Sequence, residues 1–104
     1  MTITTNTIIC MNVETNYSRG YLDSRFFVEI RNAKITTFCR RFYFKSAEKK
    51  AKGFIYILEK IQENLMDNSI NINEEEILSI IESNSRKKNY YSILDDYIER
   101  CTAA

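Results

Sequence analysis

The chain has 104 residues, 44% of them apolar and 28% charged, with a formal net charge of +1 at pH 7. This bounds a single domain, residues 1–104, large enough to bury a core without disulfide or metal staples. No apolar run approaches the roughly 18 residues needed to cross a bilayer, and the opening "MTITTNTIIC" lacks the basic stretch of a secretory signal, so a soluble, cytoplasmic protein is expected.

The predicted elements fall into two regimes that meet near residue 46. An early strand lies within "TIICMNV", and "NYSRGY" reads as a turn leading into another strand. In "RFFVEIR", Phe26, Val28 and Ile30 alternate against Arg25, Phe27, Glu29 and Arg31, the period-2 pattern of a half-buried strand. "NAK" fits a short hairpin loop. "ITTFCRRFYFK" continues the alternation, with Phe38, Phe42 and Phe44 on one side and Thr37, Cys39, Arg41, Tyr43 and Lys45 on the other. Residues 1–45 are thus mainly strands, three or four in number and antiparallel.

From Ser46, offered as an N-cap, apolar residues recur at helical spacing: Ala47, Ala51, Phe54, Leu58, Ile61 and Leu65. A long helix over 46–68, ended by Asn68 and Ser69, is expected to cover the sheet. Gly53 inside it implies a close approach of helix to sheet. Two shorter helices occupy 73–102. The first follows an Asn73 cap with three first-turn glutamates, Glu76 being placed to close a capping box. "RKKN" breaks the segment, and the second runs through Tyr90, Leu94, Tyr97 and Cys101. The fold class is α+β, with core residues Phe26, Val28, Ile30, Phe38, Phe42, Phe44, Phe54, Leu58 and Ile61.

Charge is unevenly divided along the chain. Residues 1–52 carry ten Lys/Arg against four acids, and residues 53–104 five against ten. Either the basic half meets a polyanion or the two halves attract each other. The hairpin segment 26–44 holds six aromatic rings and four cations, a combination that suits a two-faced sheet. One set of phenylalanines builds the core, while Arg25, Phe27, Arg31, Arg41, Tyr43 and Lys45 face outward. Guanidinium forks pair with phosphates and guanine edges, and a β-ribbon fits the major groove, so this face is a candidate nucleic-acid surface. The competing reading has the same face solubilising only, with Phe27 and Tyr43 covered by the C-terminal helices.

"YSRGYLDSRFFVEIRNAKITTFCRRFYFKSAEKKAKGFIYIL", residues 17–58, resembles the AP2 DNA-binding domain and the AP2-like arm-binding domains of phage integrases. The likeness rests on Arg19-Gly20, Val28-Glu29-Ile30-Arg31, Phe44, and Ser46-Ala47-Glu48 with Ala51. It implies a three-stranded sheet read into the major groove, with DNA contacts from Arg19, Arg25, Arg31 and Arg41. With the hairpin-loop Lys34, the candidate nucleic-acid-binding set is Arg19, Arg25, Phe27, Arg31, Lys34, Arg41, Tyr43 and Lys45.

The acidic helices carry narrow apolar stripes at Ile77, Ile80 and Ile81 and at Leu94, Tyr97 and Ile98. These are covered either by the outer side of the long helix, through Ile55, Tyr56 and Met66, or by a second copy in a homodimer, or by a partner protein. A second function class follows: a phage or mobile-element inhibitor that masks a host protein, in keeping with a composition rich in Asn, Ile and Lys. Catalysis and bound cofactors or metals are not expected. There is no histidine, and neither Gly20 nor Gly53 sits in an anion-cradling loop. Cys10, Cys39 and Cys101 are odd in number and widely spaced, as buried free thiols would be. "CTAA" lacks the aliphatic residue of a prenylation signal at Thr102.

Overall fold

The period-2 segments pair as their alternation requires. In the computed structural model, which describes residues 1–43, 46–65 and 69–102, β1 spans Thr2–Thr4, β2 Ile8–Ser18, β3 Tyr21–Asn32 and β4 Ile35–Phe42. β2, β3 and β4 form an antiparallel sheet with β3 in the centre. The β2–β3 connection is a two-residue turn in which Arg19 (φ 53°) and Gly20 (φ 82°) are both left-handed. Such primed turns match the twist of the flanking strands. The β3–β4 turn is Ala33-Lys34, with Ala33 at φ 57°, and the ladder slips at Ile30/Arg31, where Ile30 pairs with Phe38 but Arg31 with Thr36.

Val28 and Ile30 are fully buried, Phe42 is 3% exposed, and Phe26 and Phe38 are half-buried against the core. The inward strand set is therefore the predicted one for every member described; Phe44 lies outside the described residues. Helix α1, Ala47–Glu63, lays Ala51, Phe54, Ile57, Leu58 and Ile61 on this face. Phe54 stacks on Phe38 with centroids 5.4 Å apart and tilts against Phe42 at 6.3 Å. Each fully buried aliphatic or phenyl group of this kind stabilises by about 1.5–3 kcal/mol.

Helix α1 ends at Glu63, several residues before the expected 68. Beyond Leu65 the chain turns to a pairing that the pattern did not reveal: β5, Ser69–Asn71, forms a two-stranded antiparallel sheet with β1, through Thr2↔Asn71, Ile3↔Ile70 and Thr4↔Ser69. Ser69 is thus a strand residue, and Asn68 lies outside the described residues. Ile3 of this small sheet and Ile72 just beyond it enter the core. The end of α1 is fixed there too, because the Gln62 amide donates to the carbonyls of Thr4 (2.9 Å) and Thr7 (2.7 Å).

Helices α2, Glu74–Asn84, and α3, Tyr90–Thr102, pack on α1 and on each other. Asn73 caps α2 as expected, its side chain accepting from the Glu76 N–H at 3.2 Å. Ser46 does not cap α1 with its hydroxyl; its backbone is left-handed (φ 66°), and its carbonyl simply accepts the first helical bond, from Lys50. Gly53 also has a different reason from the one expected. A Cβ there would stand 1.9 Å from the Tyr90 hydroxyl, so the close approach is to α3 and not to the sheet. Ile77, Ile81, Leu94, Tyr97 and Ile98 are buried, and Ile80 packs against the core. The apolar stripes find their cover within one chain, α1 supplying it; Met66 lies outside the described residues. No helix is long and apolar enough to cross a membrane among the described residues.

The long hairpin outruns its neighbours. β4 stops at Phe42, opposite Phe26, whereas β2 and β3 continue through Glu14↔Arg25 to Ser18↔Tyr21. Residues 14–25 are thus a two-stranded arm, with Tyr17 and Tyr21 each more than three-quarters exposed near its tip.

Candidate nucleic-acid interface

Because α2 and α3 pack on α1 instead of on the sheet, no helix among the described residues covers the outer face of the three strands. β3 contributes Arg25, Phe27, Glu29 and Arg31 to it by alternation from the buried Val28 and Ile30. The register sets Asn12 and Arg41 on either side of Phe27, Glu14 beside Arg25, and Cys10 and Cys39 on either side of Glu29. Arg41 crosses the central strand: its guanidinium lies over the Phe27 ring at 5.4 Å and reaches Glu14 on the far strand at 3.6 Å. Arg25 lies over the Tyr43 ring at 5.6 Å. Arg31 sits 3.6 Å from Glu29, whose carboxylate also accepts from the Thr36 hydroxyl at 2.7 Å.

Two of the guanidinium groups, those of Arg25 and Arg41, thus lie over aromatic rings of the same face. Cation–π contact of this kind helps to hold a guanidinium in place, and a guanidinium is a planar, five-donor group whose geometry matches carboxylate and phosphate oxygens. The two carboxylates temper the charge, so among the described residues three arginines face two glutamates and this part of the face is only weakly positive. Glu29 belonged to the predicted outward set, but its role as a local counter-charge, and that of Glu14, depends on cross-strand register, which a single sequence does not reveal.

Five of the eight candidate residues come together here: Arg25, Phe27, Arg31, Arg41 and Tyr43. Arg19 does not join them, since it occupies the turn at the arm's tip, roughly 20 Å from Arg25 at about 3.3 Å per residue. Lys34 occupies the turn at the opposite end of the sheet, and Lys45 lies outside the described residues. The competing reading, with Phe27 and Tyr43 buried under the C-terminal helices, does not hold: Tyr43 is 45% exposed, and Phe27 is shielded only in part, with Arg41 lying over it. The cysteines are free, as expected, but not buried, because Cys39 is exposed and Cys10 and Cys101 are intermediate. Among the described residues no group of three His, Cys, Asp or Glu is placed to hold a metal ion.

Sequence reasoning missed a second concentration of charge. Arg86, Lys87 and Lys88 belong to the acidic half of the sequence, yet the α2–α3 turn that carries them returns to the start of α1, where Lys50 pairs with Glu82 at 2.8 Å and the Tyr90 hydroxyl donates to the Lys49 carbonyl at 3.3 Å. A run of three cations at a helix break was the available signal. No protein-family model, curated protein or solved structure matches this chain.

Proposed function

We propose that this chain is a non-enzymatic nucleic-acid-binding protein that receives duplex DNA on the outer face of its three-stranded sheet. One observation carries the reading: a face covered by no helix among the described residues, on which Arg25 and Arg41 lie over the rings of Tyr43 and Phe27, with Arg31 exposed alongside. Guanidinium groups held in this way suit phosphate oxygens and the O6/N7 edge of guanine. The contacts to Glu14 and Glu29 are long and solvent-exposed, worth about 0–1 kcal/mol each, so exchanging them for phosphates costs little. The same glutamates repel a polyanion, which points to weakly specific, strongly salt-dependent binding. Three antiparallel strands followed by a helix on the opposite face is also the arrangement that the likeness to AP2 domains implies, and this supports the reading.

A mobility-shift titration of duplex DNA tests it. Binding at low salt should weaken linearly in log–log form as salt rises, and Arg31→Ala/Arg41→Ala should flatten that line. Absence of any DNA or RNA shift at low salt would overturn the reading. A second reading, a small phage or mobile-element protein that masks a host protein, is favoured by the arm. Tyr17 and Tyr21 expose apolar surface there, with Val13 exposed just below its base, in a manner suited to a protein groove.

A further inference from the structure

The most basic part of the molecule is not the outer face. α1 and α2 run antiparallel: Glu74 at the start of α2 meets the Met1 ammonium near β1, and Glu82 in its last turn meets Lys50 in the first turn of α1. The α2–α3 turn is therefore held between two anchors, Glu82 on Lys50 and Tyr90 against Lys49 and Gly53. Beside it, Arg40 of the β4 edge and Tyr43 just beyond that strand share a cleft of 470 Å³ with Lys50 and Glu82. A second cleft, of 540 Å³, lies where Ser24 and Phe26 at the base of the arm approach Lys49, Lys52 and Tyr91.

Arg40, the first two turns of α1 and the α2–α3 turn together carry Arg40, Lys49, Lys50, Lys52, Arg86, Lys87 and Lys88. Glu48 and Glu82 are the carboxylates that pair among them, with Lys52 and Lys50. Seven cations against two acids leave +5, compared with +1 on the outer face. Among the described residues no ion pair engages Arg40, Arg86, Lys87 or Lys88. Unpaired like charges crowded at one end of a domain repel one another, and a polyanion relieves that repulsion.

We propose that this end of the helices, with Arg40 at the β4 edge, is a second nucleic-acid contact that grips the phosphate backbone while the outer face meets the groove. The inference rests on the nucleic-acid reading above and assigns to this end the larger share of the salt-dependent affinity. β4 links the two surfaces, because Arg41 projects to the outer face while its neighbour Arg40 projects toward the helices, so a backbone leaving the outer face over the β4 edge meets Arg40 first.

Anisotropy titrations of a labelled duplex of about 20 base pairs, between about 50 and 200 mM salt, separate the two surfaces. The triple variant Arg86→Ala/Lys87→Ala/Lys88→Ala changes exposed side chains only. Its log–log salt slope should fall by about two to three, and its affinity at least tenfold at the lower salt, with sequence preference unchanged. If the triple variant keeps wild-type slope and affinity while Arg31→Ala/Arg41→Ala loses them, this inference fails and the outer-face reading stands. If the triple variant loses slope while the outer-face double variant binds as wild type, the phosphate grip stands and the outer face loses its role. A wild-type protein that binds no duplex overturns both.

Discussion

Replacing Gly53 with alanine should destabilise this protein, although the same change in an ordinary helix interior stabilises by about 0.8–1 kcal/mol. The added Cβ would lie 1.9 Å from the Tyr90 hydroxyl, 2.7 Å from Cζ and 3.2 Å from Cε2. Tyr90 has little room to yield, being 1% exposed, with its hydroxyl bonded to the Lys49 carbonyl. Moving the ring costs overpacking of about 1–3 kcal/mol and a hydrogen bond of about 1 kcal/mol. After the propensity gain, a net loss of about 1–3 kcal/mol remains. Urea denaturation followed by circular dichroism measures it, and a double-mutant cycle supplies the control. In a Tyr90→Ala background the obstructing ring is gone, so Gly53→Ala should turn from destabilising to neutral or stabilising. A Gly53→Ala protein more stable than wild type would refute the helix-to-helix contact.

Other outcomes follow from the same packing. Phe42→Ala should cost about 3–5 kcal/mol in a denaturant titration, because the ring is buried against Phe54; a loss under about 1 kcal/mol would reverse the strand faces. Asn73→Ala should cost about 0.5–2 kcal/mol by removing the α2 cap, whereas Ser46→Ala, which deletes no cap bond, should lie within about 0.5 kcal/mol of wild type. Burial raises the phenol pKa values of Tyr90 and Tyr97, and the hydrogen bond to Asp95 raises that of Tyr56. The fold thus favours the protonated phenols. Their contribution is complete below the unfolded tyrosine value of about 10 and is lost as pH rises through the folded values. Denaturation midpoints should therefore decline above about pH 10, and a midpoint constant to about pH 11 would contradict the burial of these rings.

Much of the fold is legible in the sequence because it is written in long periods. Twelve residues of β3 and seventeen of α1 repeat their patterns often enough to identify the buried faces. The β1–β5 pair is not legible, since "TIT" and "SIN" show one alternation each and meet only through contacts about 70 residues apart. The helix end at Glu63 is not legible for the same reason: helical spacing runs on through Leu65, and what stops it is a tertiary pairing. Gly53 signals a close approach in the sequence, but the neighbour is Tyr90 of α3 and not the sheet, because period alone does not say which element crosses. For the candidate site, alternation placed Arg25, Phe27, Arg31, Arg41 and Tyr43 together. It did not reveal that Arg19 would be carried away at the tip of an arm, that Glu14 would reach Arg41, or that Arg86, Lys87 and Lys88 would return to the basic end.

The central claim is that the outer face of the sheet receives nucleic acid, and amide chemical-shift mapping tests it residue by residue. With duplex DNA added at low salt, the largest shifts should fall on Arg25, Phe27, Arg31 and Arg41, with the arginine Nε–H signals moving and the amides of the buried residues Leu58 and Ile61 unchanged. Shifts absent everywhere, or confined to the arm around Tyr17 and Tyr21, would contradict it.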